Sequence, residues 1–430
     1  MLLRTVLASG RKRRVVTIAV WAATLSISTQ AMAQCVNSGA GFFDSGGDDP
    51  LARNIILPQI PFASVLQTMN TSFTTPTNSS AYVSGPGNAK PSQATGGVWS
   101  RTVAGYTDFQ ADTATTLKPA VDPFNHPGAQ FKQNCDRNDY HDYAGIQLGF
   151  DLGSMNIAGT GANLHFGVTG GYLSAWGRYG APGGASYKDP EKLKTDFEVP
   201  FVGLYGVLTN KGFFADTLVR WDFYQSTTSR KALSDTFNDF TLDLPSVKNK
   251  ARGLSVLANA GYQIPLGSSG WFIEPSAGVA WSRVQVDPVT MVDSSGLGVA
   301  VRSDDIESLL GRATLRIGAT LPGSSFTWQP FLTASVFREF AGQTTMSGKV
   351  LDPNDDTELH FGNSDADNTT ITNGTTFTST TQRIGTYGQL GLGTSVIIGD
   401  TGWLGFVRSD AKVGEEFRGV SVATGMRYQW

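Results

Sequence analysis

The sequence predicts an all-β fold: a transmembrane, antiparallel, up-and-down β-barrel of about twelve strands over residues 96–430, preceded by a short and mostly irregular N-terminal segment. Three observations predict it. Apolar and polar residues alternate along long stretches, short connections alternate with long ones, and charge is scarce. Charged residues make up 16% of the 430-residue chain, which also contains 50 glycines, whereas average proteins have about 25% charged residues and about 7% glycine.

The first 33 residues have the composition of a secretory signal peptide. They carry five basic residues and no acidic one, and an apolar run from Val15 to Ile27 follows the basic stretch. Ala31-Met32-Ala33 is a suitable cleavage site, so we expect cleavage between Ala33 and Gln34. The apolar run is short for a membrane-anchoring helix, which needs about 20 residues.

The rest of the chain has 28 basic and 36 acidic residues, a net charge of −8. A mildly acidic chain without a basic stripe gives no electrostatic reason to expect a nucleic-acid partner.

Residues 34–95 form the second predicted region, a short exported or linker segment. The segment is rich in Ser, Thr, Asn, Gly and Pro and shows no strand alternation. Phe62, Val65, Leu66 and Met69 fall at helical spacing, which indicates a short amphipathic helix. A floppy exported tail with one transient turn is the alternative.

From Gly97 onward the apolar pattern has a period of two, and it is clearest at the C-terminus. One face holds Val420, Val422, Thr424, Met426, Tyr428 and Trp430. The other face holds Gly419, Ser421, Ala423, Gly425, Arg427 and Gln429. A soluble sandwich also alternates. However, these stretches reach the roughly ten residues of a tilted membrane strand, and aromatic residues lie near the ends of their apolar faces, as in an interfacial girdle.

The lengths of the connections support a membrane barrel. We predict strands near residues 97–109, 140–153, 163–177, 195–209, 212–225, 251–266, 270–285, 304–321, 326–340, 382–399, 402–410 and 416–430. Tight turns at 209–212, 267–270, 322–325 and 399–402 alternate with long polar segments at 110–139, 178–194, 226–250, 286–303 and 341–381, apart from a brief last hairpin at 411–415. Outer-membrane barrels place short turns in the periplasm and long loops outside.

Four stretches carry a family resemblance: the opening Gly97-Val-Trp-Ser-Arg101, the strand pair Val199-Pro-Phe-Val-Gly-Leu-Tyr-Gly206 and Gly212-Phe-Phe-Ala-Asp-Thr-Leu-Val-Arg-Trp-Asp222, and the terminal Gly419–Trp430. In these stretches the chain resembles the translocator barrel of autotransporters, the type V secretion proteins. The resemblance implies a twelve-stranded barrel in the bacterial outer membrane, with a passenger delivered outside. It also implies a helix or extended segment threading the lumen, so that the helix predicted within residues 34–95 would be lumenal. The passenger here is short and has no 20–50-residue repeat, so the resemblance transfers no adhesin, protease or esterase activity.

The C-terminus resembles the assembly signal of outer-membrane barrels. Thr424, Gly425, Tyr428 and Trp430 match the pattern polar–Gly–x–x–aromatic–x–aromatic that the barrel-assembly machinery recognises. We therefore expect outer-membrane lipid, the assembly machinery and periplasmic chaperones as partners of a monomeric barrel. A well-patterned final strand without a signal role is the alternative.

Few residues suggest chemistry. Asp216, Arg220 and Asp222 share the predicted lumenal face, where they would form an ion network, most simply a structural one. The four histidines show no metal-ligand spacing, and neither a nucleophile elbow nor a P-loop is present. We therefore expect no enzymatic activity, no metal and no cofactor.

Cys35 and Cys135 are the only two cysteines of the chain. An oxidising periplasm permits a disulfide between them, and that disulfide would pin the N-terminal segment to the first outer loop. An incidental pair is the alternative.

Three functions remain open from the sequence. In the first, the barrel anchors in the outer membrane and translocates or displays its own N-terminal segment. In the second, it is a passive pore with residues 34–95 as a plug. In the third, it is an adhesin-like barrel that acts through its loops at 226–250 and 341–381. The acidic run 351–358 could bind a divalent cation, although such a run is usually solvated surface. The position of residues 34–95 separates the first two functions.

Overall fold

A computed structural model of the chain describes residues 35–37, 61–74, 89–118, 131–179, 193–229, 233–235, 240–242, 246–292, 298–351, 374–399 and 401–430. The predicted signal peptide with its cleavage site at Ala33 and Gln34 lies outside these residues, as does nearly all of the acidic run 351–358. Among the helices described, none has the length and hydropathy of a membrane-spanning helix.

Twelve long antiparallel strands close into a barrel. They are β1 (Gln93–Lys118), β2 (Phe131–Met155), β3 (Ala162–Tyr179), β4 (Leu193–Asn210), β5 (Phe213–Ser229), β6 (Val247–Tyr262), β7 (Trp271–Val286), β8 (Ile306–Ala319), β9 (Phe326–Glu339), β10 (Thr386–Ile398), β11 (Trp403–Gly414) and β12 (Phe417–Gln429). Each strand pairs with its neighbours in sequence, and β12 pairs with β1 from Gly97↔Gln429 to Phe109↔Phe417. This last pairing closes the barrel, so the predicted fold class is confirmed.

The outer face of the barrel is apolar because outward and inward residues alternate along every strand. Two belts of exposed aromatic residues border this face. On β7 the belts are marked by Trp271 and Trp281, which are 51% and 38% exposed. These residues are ten positions apart, about 33 Å along a strand and about 25 Å along the axis of a barrel with strands tilted by about 40°. That height matches the apolar band of an outer-membrane barrel.

Short and long connections alternate as predicted, and the two ends of the barrel are therefore called the turn end and the loop end. The turns of the turn end include 263–270 and the turn that contains Thr401 and Gly402. Gly402 has φ +74°, and a Cβ there would meet the Gln429 carbonyl oxygen, which explains a glycine in this turn. Strand β1 begins at Gln93, a few residues before the predicted start of the barrel.

Several predicted boundaries are wrong at the loop end, because strands lie in the segments 110–139, 286–303 and 341–381 and β11 runs to Gly414 through the predicted hairpin 411–415. Residues 110–139 were expected to be a loop, but β1 continues to Lys118 and β2 resumes at Phe131. The two strands stay paired from Gln110↔Asn138 to Leu117↔Phe131. This stretch is rich in Thr and Asp and lacks the apolar–polar alternation by which the other strands were predicted, because its residues extend past the lipid-facing belt.

At the loop end, the extended ends of β1 and β2 and further strands continue the barrel sheet beyond the barrel, in a part here called the outer sheet. The other strands of the outer sheet are Cys35–Asn37, Val289–Val292, Gly298–Ser303, Thr344–Leu351 and Thr376–Thr381. They pair in the order 35–37, β2, β1, 376–381, 344–351, 298–303, 289–292. Buried side chains on one face form an apolar cluster of Met291, Val299, Val301, Met346 and Phe377. The pairs Leu233–Asp235 and Phe240–Leu242 form a separate hairpin.

A single α-helix of twelve residues, α1 (Pro61–Ser72), is described in the segment before the barrel. Proline suits the first position of a helix, where its missing N–H costs nothing. The predicted helix over residues 62–70 is therefore confirmed, and it is one turn longer than the apolar positions indicated.

Candidate functional site

Helix α1 lies inside the barrel, and its apolar side chains form the centre of the largest buried cluster. Phe62, Val65, Leu66, Met69 and the following Phe73 are each no more than 1% exposed. They pack against wall residues that include Val103, Tyr143, Leu173, Phe197, Val199, Phe201, Tyr224 and Val284. The Phe62 ring meets Phe197 edge to face at 5.1 Å, and Phe73 lies 4.9 Å from Phe201. Burial of this face holds the helix in the lumen.

Arg220 of β5 caps the C-terminal end of α1. Its Nη1 donates to the carbonyl oxygens of Met69 at 3.1 Å and Phe73 at 2.7 Å, and its Nη2 donates to Asn70 Oδ1 at 3.1 Å. The same guanidinium forms a fork with Asp222, with Nε–Oδ1 at 2.7 Å and Nη2–Oδ2 at 3.1 Å. The five N–H groups of the guanidinium match these five contacts.

Electrostatics explains why a cation contacts the C-terminal end of α1. Helix α1 has no basic residue in its last turn, while the last carbonyls of a helix lack internal partners and carry the negative end of its dipole. Arg220 and Asp222 are both fully buried. A buried arginine needs a paired carboxylate, and Asp222 supplies it, so the cation can face the helix end.

Polar side chains of α1 also contact other strands of the wall. Ser64 Oγ lies 2.8 Å from His141 Nε2 of β2, Gln67 Nε2 donates to the Tyr387 hydroxyl of β10 at 3.0 Å, and Asn70 Nδ2 donates to Ser282 Oγ of β7 at 3.0 Å. Lys412 of β11 donates to Thr71 Oγ1 at 3.1 Å. The helix is thus held both by its apolar face and by polar contacts to strands all around the barrel.

These contacts fix the direction of α1. Ser64, near its start, meets His141, which pairs with Thr107 of β1. After its end, the Thr74 carbonyl accepts from Arg101, which lies six residues nearer the turn end of β1. Six residues of a tilted strand span about 15 Å along the barrel axis, and the ten residues from Ser64 to Thr74 span about 15 Å if helical. The helix therefore runs along the axis, with its N-terminus toward the loop end.

A second buried network joins the two ends of the barrel sequence near the turn end. Asp151 of β2 accepts from both Nη atoms of Arg427 of β12, at 2.7 and 2.8 Å. The carboxylate also accepts from the Tyr205 hydroxyl at 2.8 Å and lies 3.0 Å from His165 Nδ1. Trp99 Nε1 of β1 in turn donates to that hydroxyl at 2.7 Å. Five strands on both sides of the closure, β12, β1, β2, β3 and β4, meet in this network.

The structure divides the predicted set Asp216, Arg220 and Asp222. Arg220 and Asp222 form one ion pair. Asp216 is also buried on the lumenal face, but it lies opposite Asn259, which accepts a hydrogen bond from Arg312 at 2.6 Å. The sequence placed Arg220 correctly in the lumen but did not show that its second partner is the end of α1.

The four residues of the terminal motif lie on β12 or directly after it. Thr424, Tyr428 and Trp430 face outward, and the Tyr428 ring lies 5.0 Å from Trp403. Gly425 faces the lumen side, where a Cβ would meet the Ser100 carbonyl and the Phe406 ring. These positions give the motif a structural reason, and its role as an assembly signal stays a prediction.

The backbone around the two cysteines is described, whereas their side chains are not. In the outer sheet the strand Cys35–Asn37 pairs antiparallel with β2, and Cys35 lies directly opposite Cys135. Directly opposite residues of antiparallel strands have Cα atoms about 4.5–5.5 Å apart, within the range of disulfides. The disulfide stays a prediction.

Several residues that matter here escaped the sequence argument, namely Asp151, Arg427, His141, Tyr387 and Lys412. Arg427 alone carried a signal, because it was a charged residue on the lumenal face of the best-patterned strand. Among the described residues, no group of three His, Cys, Asp or Glu side chains could hold a metal ion.

A comparison with known proteins identifies the family of this barrel. The family model described as the autotransporter beta-domain matches residues 128–391. The chain belongs to the autotransporter family. Its barrel is an outer-membrane barrel of autotransporter type, and the family places it in the bacterial outer membrane.

One curated relative and one solved structure are similar to this autotransporter barrel. The probable autotransporter YcgV of Escherichia coli (strain K12) is 25% identical over 205 residues, which are 47% of this chain and 19% of that protein. The chain thus matches about a fifth of that relative's length. The transport unit of the autotransporter AIDA-I from Escherichia coli has a TM-score of 0.55 at 15% identity, covering 85% of this chain and 97% of that one, and shows the same fold.

Proposed function

We propose that this barrel anchors in the outer membrane, holds its own N-terminal segment threaded through the lumen, and displays the residues that precede α1 at the cell surface. The observation that carries the proposal is the direction of α1, whose N-terminus points to the loop end. Outer-membrane barrels turn their long loops outward. The chain before α1 therefore leaves the lumen on the outside.

The strand Cys35–Asn37 supports the same direction. It adds to the edge of β2 beside Gln133–Cys135, in the outer sheet at the loop end. Within the described residues, β2 pairs with β3 from Asp139↔Tyr179 toward the turn end, and the strand 35–37 pairs with the stretch of β2 just before Asp139. A segment that stayed in the periplasm would not reach this edge.

The proposal assigns the barrel no enzymatic activity and includes the partners expected from the sequence. The outward residues of the terminal motif, Tyr428 and Trp430, face outer-membrane lipid. Before closure, β12 would offer an edge with a regular apolar face, which suits pairing with the assembly machinery by strand addition. Periplasmic chaperones would hold the exposed apolar strands before insertion, and the closed barrel would be a monomer.

The passive-pore alternative also has a specific observation in its favour, because α1 fills the lumen. The two functions differ in where residues 34–60 lie. In the pore, these residues stay in the lumen or the periplasm. In the proposed function, they are outside the cell.

The test is protease access to an epitope tag inserted after Asn37 in intact cells. We expect the tag to be digested without disruption of the outer membrane. The matched control is the same tag in the turn between Gly267 and Gly270, which should be digested only after disruption. If the tag after Asn37 is protected like the control, the display function is wrong and the plugged pore is favoured.

A further inference from the structure

Basic residues occupy successive outward positions on one strand at the loop end. On β6, Lys248, Lys250 and Arg252 face outward one after another, and all three are exposed. The next outward residue toward the membrane is Leu254. Arg252 lies opposite Phe223 of β5 on one side. The charges therefore start where the apolar outer face stops.

An aromatic belt runs beside and just below these charges. Its exposed members are Trp221, Phe223, Trp281 and Phe340. Trp281 and Phe340 lie at one level, because each is paired with Leu309. Arg338, exposed two positions before Phe340, has its guanidinium 5.5 Å from the centroid of that ring. An arginine at the edge of an apolar band reaches toward the polar interface in this way.

The basic side chains continue around one arc of the loop end, from β6 to β9 and the outer-sheet strands between them. In this basic arc the described, exposed cations are Lys248, Lys250, Arg252, Arg283, Arg302, Arg338 and Lys349, and the carboxylates are Asp287, Asp304, Asp305 and Glu307. Arg283 Nε donates to Asp305 Oδ2 at 2.7 Å. The remaining cations exceed the remaining carboxylates by three.

The opposite arc has the reverse charge. On the outward side of β11, β12, β1, β2 and β4 and the last hairpin, the described carboxylates at the loop end are Asp108, Asp112, Asp142, Asp196, Glu198, Glu415 and Glu416. The described cations there are Lys118, Lys194 and Arg418. Among the described outward residues of the loop end, positive charge therefore gathers on the basic arc and negative charge on the opposite arc.

We infer that the basic arc binds the phosphate groups of phosphorylated glycolipids in the outer leaflet. Lysine and arginine side chains beside a membrane attract anionic headgroups. The aromatic belt next to the cations gives the acyl chains of the same lipid an apolar surface to pack against. A soluble phosphate would use the cations alone. The inference rests on the proposed orientation, which puts the loop end in the outer leaflet.

The test measures binding of purified full-length barrel in detergent micelles to lipid A, by native mass spectrometry. The probes are bis-phosphorylated lipid A and its dephosphorylated form. The arc variant is Lys250→Gln, Arg252→Gln and Arg338→Gln together. The matched control is Lys90→Gln, Lys194→Gln and Arg418→Gln, which removes the same charge from the turn end and the acidic arc. A folded barrel for each protein is verified by its heat-modifiable migration.

We expect phosphorylated lipid A to bind the parent and the control equally, and the arc variant at least about tenfold more weakly. Dephosphorylated lipid A should not distinguish the three proteins. Equal binding by the arc variant would overturn the inference, and so would full competition by millimolar inorganic phosphate, which would indicate a general anion site. If the tag after Asn37 is protected while lipid binding depends on the arc, the outer-leaflet assignment and the proposed orientation are both overturned. If the tag is accessible while lipid binding does not depend on the arc, the lipid site alone is overturned.

Discussion

At the scale of single residues, Arg220 links the barrel wall to the segment in its lumen. Its guanidinium touches the last turn of α1 and is neutralised by Asp222 two positions along the same strand. Arg220 and Asp222 lie two positions apart on the lumenal face of β5 and have different roles. The Arg220 guanidinium faces the helix end, and the Asp222 carboxylate offsets the electrostatic cost of burying it.

We predict that Arg220→Ala loosens α1, because it removes the guanidinium that pairs with Asp222 and donates to the carbonyls of Met69 and Phe73. Removing one partner of a buried ion pair costs about 3–5 kcal/mol. Hydrogen exchange over residues 61–73 should become faster. Arg312→Ala is the control, since Arg312 is also a lumenal arginine but donates to Asn259 of the wall. Equal acceleration in both variants would show that Arg220 stabilises only the barrel.

Arg427 is the corresponding residue for closure of the barrel. Its two bonds to Asp151 cross β1 and join the last strand to the second one. We predict that Arg427→Ala lowers the yield of folded barrel on refolding into micelles, and that Arg427→Lys recovers part of it, because a lysine keeps the charge but not the bidentate fork. Folded fractions can be read from heat-modifiable migration. If the lysine variant is no better than the alanine variant, the fork and not the charge is what matters.

At the scale of elements, the described strand Cys35–Asn37 pairs with β2 through three residue pairs. So short a strand is a weak attachment by itself, and a covalent bond would make it permanent. We predict that Cys35 and Cys135 form a disulfide in protein isolated from the outer membrane. Alkylation before and after reduction, read by mass spectrometry, checks this. Alkylation of both thiols without prior reduction would contradict the prediction, and Cys35→Ser supplies the single-thiol control.

The hairpin between β11 and β12 carries two adjacent carboxylates, Glu415 and Glu416. Partial burial raises the pKa of Glu416 above its ordinary value, and the nearby Asp112 and Glu415 add to the effect. A carboxyl with a raised folded-state pKa binds its proton more tightly when folded, so its contribution to stability falls as pH rises from the ordinary glutamate pKa through the raised one.

We therefore predict that Glu416→Gln raises the thermal midpoint slightly at pH 7 and not at pH 4, where the carboxyl is largely protonated. The effect of a rim substitution should be about 0.5 kcal/mol or less. Melting curves at the two pH values measure it. Arg418→Gln is the opposite-sign control on the same hairpin and should not stabilise. A Glu416→Gln effect that is the same at both pH values would point to packing rather than charge.

The strands, the turns and α1 could be predicted from the sequence, whereas the contacts between distant residues could not, for a physical reason. Alternation is a local property, so the twelve strands and their tight turns followed from the sequence, and four apolar residues at helical spacing were enough for α1. The partners of α1 were not local. Arg220 is separated from Met69 by 151 residues, and Arg427 from Asp151 by 276. No periodicity connects such pairs, and only closure of the barrel brings them together.

At the scale of the whole molecule, the barrel and α1 form one packed unit, and α1 is the helix that fills the lumen among the described residues. The described lumenal wall carries charged groups of both signs, among them Arg101, Arg312, Glu274 and Asp410. Such a wall favours water once the apolar face of α1 is gone. The apolar patch formed by residues such as Leu173, Val199 and Phe201 would then face an open lumen.

We predict that deletion of residues 61–73 converts the barrel into an open pore in planar lipid bilayers, with a conductance at least severalfold above that of the full chain. The control is Ser64→Ala, which removes one polar contact of α1 and leaves its apolar anchor in place, so it should stay closed. A deletion variant that folds but stays closed would mean that another part of the chain also blocks the lumen. A full chain that already conducts like the deletion variant would mean that α1 leaves the lumen readily, and that its burial in the barrel is only one of two states.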